Sequence, residues 1–263
     1  GAEVWRIGLA GTEEMYCATA ELGACLGIEI TGSHNPIDYN GMKLVKSGAR
    51  PFDLETDFKS VRRYAEAAKW KKTHSTGVVY DKSVEARPLY VDKVLSFVNV
   101  NVLKPLKILI NSGNGAAGPT FDAIADRLEE LGSQLEFSRC HHSPDPTFPN
   151  GIPNPLLTKN HSVISDAVCS VGADLGVAFD GDFDRCFFFD EFGDFVQGEY
   201  LVGVLAEMFL ERQSGAAIVH DPRVVWSIQN TVSKFGGRSV VSKTGHAFFK
   251  RKIREINAIY GGE

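Results

Sequence analysis

The spacing of apolar residues switches repeatedly between a helical and an extended pattern along the whole chain. Residues 13–26 have the spacing of a helix, residues 28–31 and 42–46 have the pattern of short apolar strands, and residues 54–69 predict a helix with a polar face. This alternation is typical of proteins in which helices pack against sheets. We therefore predict an α/β protein.

The polar and weakly patterned residues 71–87 indicate a boundary between domains. A second unit then begins with a predicted helix at 88–98 and continues with a βαβ rhythm. The sequence predicts three consecutive units, at 1–87, 88–192 and 193–263.

Charge and composition exclude several classes of protein. Across 263 residues, 28 Lys and Arg stand against 33 Asp and Glu, which gives a net charge of −5. The only basic run is the short segment 250–252, so neither a nucleic acid nor a membrane surface is an expected partner. The 43 % of hydrophobic residues argues against a disordered chain.

The five cysteines and the chain start favour an intracellular protein. Their number is odd and no C-x-x-C pair occurs, which fits neither a disulfide framework nor a zinc knuckle. No apolar run approaches the roughly 18 residues that span a bilayer, and the first residues lack the layout of a signal peptide. We expect a cytoplasmic location.

The strongest chemical signal is an acidic turn between two apolar segments. Asp180, Asp182 and Asp184 alternate along it, so their carboxylates can converge on one hard cation. Without a cation these carboxylates would repel one another. An EF-hand is an alternative, with Glu191 as its twelfth residue, but its sixth place holds Arg185 instead of glycine and its flanks are strand-like.

A loop at 31–36 brings together a nucleophile and a proton-transfer group. Ser33 and His34 are adjacent in it, and a short strand precedes it. Gly, Ser, Asn and Pro are also ordinary loop residues, so an unspecialised loop is the alternative. Lys43, at the start of the next strand, can return to the same place or stand exposed at the strand end.

A Gly-rich turn at 113–118 matches G-x-G-x-x-G between a predicted strand and a predicted helix. With Glu136 at the distance of a ribose contact, Gly113, Gly115 and Gly118 could bind a dinucleotide. The alternative, which we favour, is a turn that lets helix and strand pack closely.

Two further loops follow predicted strands in the last unit. Lys243 and His246 lie between a strand and a helix, where backbone N–H groups and a cation suit a phosphate or a sugar hydroxyl. Arg223 lies at a comparable strand end. Each signal is weak by itself.

Taken together, five ordered motifs resemble those of the α-D-phosphohexomutases, and most of all the bacterial phosphomannomutases of capsule and O-antigen sugar synthesis. The motifs are TGSHNP at 31–36, DYNGMK at 38–43, FDGDFDR at 179–185, KTGH at 243–246 and GGE at 261–263. The resemblance covers essentially the whole chain. Phe183 departs from the family pattern, because many relatives have glycine there.

The resemblance implies consecutive mixed-sheet α/β domains. That family has four domains, so the first and third would be incomplete here and the fourth absent. We therefore expect both ends to be cut, and the chain by itself to be inactive on mannose 1-phosphate.

The resemblance also implies roles for the first two motifs and the acidic turn. Ser33 would be phosphorylated in the resting enzyme, and its phosphate would share a Mg²⁺ with Asp180, Asp182 and Asp184. Lys43 and Arg185 would compensate the phosphate charge.

By the same resemblance, Lys43 is the general acid/base, with His34 as a second candidate. A hexose 6-phosphate would accept the phosphoryl group at O1, turn over as the hexose 1,6-bisphosphate and return its other phosphate to Ser33. The sugar contacts would come from Arg223, Lys243, His246 and Glu263. The sequence leaves open mannose against glucose, an NAD-dependent oxidoreductase that uses the Gly-rich turn, and a non-catalytic fragment.

Overall fold

The computed structural model of the protein describes residues 1–68 and 75–263. They form two compact units, residues 1–195 and 196–263. Helices and strands alternate in both, which confirms the predicted α/β class. Within the described ranges, no helix is long and apolar enough to cross a membrane. The domain boundaries expected near residues 87 and 192 stay predictions.

Ten strands and five helices begin among the described residues of the first unit. The strands are β1 (Glu3–Arg6), β2 (Leu26–Ile30), β3 (Met42–Lys46), β4 (Arg50–Pro51), β5 (Val78–Asp81), β6 (Lys107–Asn111), β7 (Glu136–Cys140), β8 (Leu175–Phe179), β9 (Cys186–Phe189) and β10 (Phe195–Val196). The helices are α1 (Thr12–Glu21), α2 (Lys59–Ala67), α3 (Ser83–Leu95), α4 (Ala117–Glu130) and α5 (His161–Val171).

Three sheets organise these strands. β1 and β5 form a parallel pair, and β2, β3 and β4 form an antiparallel sheet. The largest sheet has the order β10-β9-β8-β6-β7, with β6 parallel to β7 and β8, and β9 antiparallel to β8. It is therefore a mixed sheet, as the family resemblance implied.

The acidic turn is the connection of the β8–β9 hairpin. β8 is apolar because three of its residues are buried in the sheet, and Phe189 of β9 is fully buried. Phe189 packs with Leu109, Ile164 and Val168 into the core under this hairpin. Burial of such a side chain contributes about 1.5–3 kcal/mol. The turn is thus fixed at the sheet edge by its flanking strands, and because those flanks are strands, the EF-hand interpretation is wrong.

The segment that was expected to be a linker is largely regular structure. Residues 78–81 form β5, which pairs with β1, and α3 already begins at Ser83 instead of Pro88. Asp81 accepts hydrogen bonds from the Ser83 backbone N–H and hydroxyl, which sets the helix start. Residues 71–74 lie outside the described part of the chain.

Other predicted elements are displaced by a few residues. The helix expected at 13–26 ends at Glu21, and Leu26 already belongs to β2. In the helix expected at 54–69, residues 54–58 form a π-helical segment that continues into α2, and residue 69 lies outside the described ranges.

The Gly-rich turn supports the acidic turn through its backbone. Ala116 N donates to Gly181 O at 2.9 Å, and a Cβ on Gly115 would lie 2.5 Å from the same oxygen. Gly115→Ala is therefore expected to push the turns apart and to lower the free energy of unfolding by about 1–3 kcal/mol, measured by urea denaturation. Gly198→Ala is the control, since nothing lies within 4 Å of its Cβ position. Equal stability of the two variants would contradict this role of Gly115.

The second unit is a parallel three-stranded sheet with helices. Its elements are α6 (Gly198–Arg212), β11 (Ala217–His220), α7 (Trp226–Lys234), β12 (Arg238–Val241), α8 (His246–Ile256) and β13 (Tyr260–Gly262). The strand order is β12-β11-β13. Ile218 of β11 packs with Leu210 and Ile228 of the helices in a buried core. Because the strands are parallel, the loops after them meet at one edge of the sheet.

Candidate active site

Ser33 lies in the loop after β2 and has a left-handed backbone. Its φ is +53°, which is uncommon for a residue with a side chain. The Ser33 N–H donates to Thr31 Oγ1 at 2.8 Å, and a Cβ on Gly181 would collide with the Ser33 carbonyl oxygen. The serine loop therefore packs directly on the backbone of the acidic turn, and only glycine fits at position 181.

The Ser33 hydroxyl joins the loop to the acidic turn. Ser33 Oγ donates to Asp180 Oδ2 at 2.7 Å and lies 3.0 Å from His34 Nδ1. Asp180 is fully buried, and its other oxygen accepts from the Arg185 backbone N–H at 3.1 Å. The structure thus brings the adjacent nucleophile and imidazole of Ser33 and His34 together with a carboxylate that lies 147 residues from Ser33 in sequence.

The three aspartates of the turn form a compact carboxylate cluster. One oxygen from each of Asp180, Asp182 and Asp184 lies within 4.8 Å of the others. Asp182 Oδ1 and Asp184 Oδ1 are buried and have no hydrogen-bond partner among the described residues. Leaving such oxygens unpaired is costly, and carboxylate oxygens are the ligands that hard divalent cations prefer. The cluster therefore fits a cation such as Mg²⁺.

Lys43 reaches the same cluster from β3. Its Nζ lies 2.7 Å from Asp182 Oδ2 and 2.6 Å from Asp184 Oδ2, and it donates to Thr12 Oγ1 at 2.8 Å. Burial lowers the pKa of Lys43, but the hydrogen bonds to the two aspartates outweigh it and raise that pKa above its ordinary value. The lysine is not an exposed strand-end residue: it is held protonated inside the site.

The pKa values of Asp180 and Asp182 are shifted in opposite directions. Burial raises the pKa of Asp180 from 3.8 to about 7, and the charges of Asp182 and Asp184 add to this shift. For Asp182, burial also acts upward, but the hydrogen bond and charge of Lys43 hold its pKa below the ordinary value. The cluster therefore favours added positive charge beside Asp180.

His34 and Arg185 close the other side of the serine. Arg185 Nη1 lies 3.3 Å from His34 Nε2. Burial, followed by the charge of Arg185, lowers the pKa of His34, so the imidazole is mainly neutral at pH 7. It can therefore accept a proton in this position.

The structure adds two residues that the sequence analysis missed. Thr12 is fully buried at the start of α1, and its hydroxyl contacts both Lys43 and Asp182. Glu29 lies on β2 directly opposite Lys43 on β3. Thr12 carried no motif signal. Glu29 could have been found from the pairing of β2 with β3, since its charge interrupts an apolar strand.

The residues predicted for sugar contact all lie in the second unit. Arg223 forms a two-pronged ion pair with Asp221, at 2.7 and 3.0 Å, and the Gly245 N–H donates to Glu263 Oε2 at 3.0 Å. Lys243 lies in the loop after β12, and His246, which follows Gly245, is the first residue of α8. All four predicted residues therefore lie at the carboxyl edge of the parallel sheet, where α/β proteins commonly bind ligands.

Asp221 anchors the loops at this edge. It is fully buried and accepts hydrogen bonds from Arg223 and from Thr244 Oγ1, and these lower its pKa from 3.8 to about 2. A lowered carboxylate pKa stabilises the fold above pH 3.8, and that stabilisation is lost as the pH falls towards 2.

We expect Asp221→Asn to lower the free energy of unfolding at neutral pH by about 2 kcal/mol. The difference from the parent should shrink as the pH falls from about 4 to about 2. Denaturation at several pH values measures both. A difference that stays constant with pH would contradict the ion pair as its cause.

Each of the three glycines in the Gly-rich turn packs closely against another segment of the protein. A Cβ on Gly113 would collide with Pro153, one on Gly115 with the Gly181 backbone, and one on Gly118 with the His142 carbonyl. These contacts support the close-packing interpretation that we favoured over dinucleotide binding.

Comparison with known proteins gives the same family in every part of the chain. Models described as Phosphoglucomutase/phosphomannomutase, alpha/beta/alpha domains I, II and III, match residues 1–71, 88–193 and 197–263. The curated phosphomannomutases of Salmonella montevideo and Escherichia coli K12 are 53 % and 52 % identical over the whole chain. The chain spans 58 % of the length of each.

A solved structure supports this result. A phosphoglucomutase/phosphomannomutase family protein from Burkholderia thailandensis aligns with the whole chain and 56 % of its own, with a TM-score of 0.87 and 29 % identity. Sequence motifs, three ordered domain matches and fold therefore agree, and the chain belongs to the phosphoglucomutase/phosphomannomutase family.

Proposed function

We propose that the protein is a phosphomannomutase that interconverts mannose 6-phosphate and mannose 1-phosphate through a phosphoserine at Ser33. The observation that carries this proposal is the 2.7 Å hydrogen bond from Ser33 Oγ to Asp180, inside a cluster of three aspartates with unpaired buried oxygens. A nucleophilic oxygen beside a cation-binding cluster is what phosphoryl transfer requires.

The transfer conserves phosphate in two steps. The bond between phosphorus and Ser33 Oγ breaks while a bond forms to O1 of the hexose 6-phosphate; the O1 proton passes to a base, and Ser33 Oγ takes up a proton from an acid. The hexose 1,6-bisphosphate then turns over, and its 6-phosphoryl group returns to Ser33 Oγ, which gives its proton to a base while O6 takes up a proton. Because no bond is made to water, the enzyme ends phosphorylated as it began.

A cation such as Mg²⁺ would be held by Asp180, Asp182 and Asp184, beside the phosphate that Ser33 would carry. When bound, it neutralises charge that develops on the transferred phosphoryl group. Lys43 and Arg185 supply the remaining positive charge, since a phosphoserine carries about −1.5 to −2 charges near pH 7.

Lys43 is our first candidate for the general acid/base and His34 the second. Lys43 is protonated by virtue of its two aspartate contacts, and can therefore donate a proton to a departing serine oxygen. His34 is mainly neutral and lies 3.0 Å from Ser33 Oγ, within reach of a proton on that oxygen.

Recognition of the sugar phosphate is proposed for Arg223, Lys243, His246 and Glu263. Two cations and an imidazole can bind phosphate oxygens, and a carboxylate accepts hydrogen bonds from sugar hydroxyls. The ion pair of Arg223 with Asp221 keeps the guanidinium oriented while most of it stays exposed.

The test is phosphoryl exchange with a hexose bisphosphate. The full chain, with its phosphate removed, is incubated with Mg²⁺ and mannose 1,6-bisphosphate, and its intact mass and Ser33 peptide are then analysed. We expect one phosphoryl group on Ser33 and release of mannose monophosphate. Binding of the sugar phosphate without any transfer would favour the non-catalytic alternative instead.

A further inference from the structure

Glu29 is a fourth carboxylate in the site, and the roles proposed so far do not use it. It lies on β2 opposite Lys43, and directly opposite residues of antiparallel strands have Cβ atoms about 4.5–5.5 Å apart on the same face. Its Oε2 is buried and, among the described residues, has no hydrogen-bond partner. The unpaired oxygen of Glu29 thus lies on the same face of the sheet as Lys43, whose ammonium contacts Asp182 and Asp184 instead.

The Lys43 ammonium lies on the aspartates that would hold the cation. It contacts Asp182 Oδ2 and Asp184 Oδ2, while the unpaired oxygens of the cluster belong to the same two carboxylates. A divalent cation on this cluster would therefore lie close to the Lys43 ammonium. Two positive charges in contact with the same carboxylates repel strongly in a buried site.

Thr12 contacts the Lys43 ammonium on the side of the aspartates. Its hydroxyl accepts from Lys43 Nζ at 2.8 Å and lies 3.3 Å from Asp182 Oδ2. Lys43 carries its ammonium on a flexible four-carbon stem, and Glu29 is the carboxylate opposite it on the neighbouring strand.

We propose that Glu29 is a positioning residue that takes up the Lys43 ammonium when a divalent cation binds the aspartates. The lysine then keeps an anionic partner and stays inside the site. This inference rests on the proposed function, because it requires the aspartate cluster to bind a cation. Cation affinity and the position of Lys43 are therefore coupled through Glu29.

The test is the affinity for Mg²⁺ alone, measured by titration calorimetry on the full chain without sugar. Glu29→Gln, which keeps the shape and removes the charge, is expected to weaken binding roughly fivefold or more, within the usual range of coupling between sites. Lys43→Met removes the competing ammonium and is expected to bind Mg²⁺ at least as tightly as the parent. Glu130→Gln, on the exposed end of α4, controls for loss of one charge.

The double variant Glu29→Gln/Lys43→Met separates positioning from simple attraction. If Glu29 acts through Lys43, the double variant binds Mg²⁺ like Lys43→Met. If the Glu29 charge merely attracts the cation, the double variant is weaker than Lys43→Met by the same factor as the single Glu29→Gln variant, and the inference is wrong. Circular dichroism establishes that each variant is folded.

Two further outcomes distinguish this inference from the proposed function. A parent chain that binds no Mg²⁺ overturns both. A parent that binds Mg²⁺ while Glu29→Gln binds equally well overturns the inference alone. If Glu29→Gln does not fold, Glu29→Asp is used instead, because it keeps the charge but has a shorter side chain. We expect Glu29→Asp to weaken Mg²⁺ binding in the parent and to leave it unchanged when combined with Lys43→Met.

Discussion

Replacing Ser33 by alanine is expected to abolish the proposed mutase activity, with a loss of at least about 10³-fold. The reason is that alanine has no oxygen to carry the phosphoryl group between the two ends of the sugar. The measurement is conversion of mannose 1-phosphate by a protein in which this sequence is extended to the length of its curated relatives, together with intact mass, because the 263 residues alone are expected to be inactive on that substrate. We expect the variant to lose both turnover and the phosphoryl adduct.

The fold of this variant should survive. Ser33 Oγ contributes one hydrogen bond to Asp180, whose other oxygen keeps its bond to the Arg185 backbone. Ser170→Ala is the matched control, since this exposed serine on α5 donates a local hydrogen bond to Ala167 O. Turnover retained by Ser33→Ala at the control level would remove Ser33 from the mechanism and the phosphoserine route with it.

Removing the cation is expected to have the second largest effect. Chelation of Mg²⁺ should stop phosphoryl transfer, because the site then lacks the positive charge that balances the transferred group. Asp182→Asn should reduce phosphoryl transfer by about 10²-fold or more, because it removes one carboxylate from the cluster that would hold the cation. Asp182→Asn should also weaken Mg²⁺ binding in calorimetry. The substitution preserves shape, so the core around the β8–β9 hairpin is expected to remain intact.

Asp166→Asn on α5 is the control for this substitution, because it removes the same charge from an exposed position. Full recovery of the chelated enzyme on adding back Mg²⁺ separates loss of the ion from loss of structure. Activity that persists under chelation, or in Asp182→Asn, would mean that the carboxylate cluster is only structural.

Local pattern was sufficient to predict the parts of this site that lie within one turn. Alternate aspartates between two apolar strands predicted a convergent carboxylate cluster, and the β8–β9 hairpin forms it. Ser33 and His34 were predicted from adjacency in one loop, and their side chains are in contact. In each case the information lies within a few residues of sequence.

Contacts between distant segments were beyond such reasoning. β1 and β5 were missed because their short segments are stabilised by pairing across more than seventy residues. Thr12 meets Asp182 across 170 residues, and nothing local distinguishes it from other helix-start threonines. The predicted helix start at Pro88 is wrong because the Asp81 side chain sets the start of α3 upstream, at Ser83.

Phe183 is an aromatic residue at a position of the acidic turn where the backbone conformation favours glycine. Its φ is +40°, a region where glycine is at ease, yet it places a ring between Tyr90 and Phe179 and against Gly11. A Cβ at position 11 would occupy the space of that ring. Positions 11 and 183 are consequently coupled by steric exclusion: the ring at 183 leaves no room for a side chain at residue 11, and replacing Phe183 by glycine would free that space.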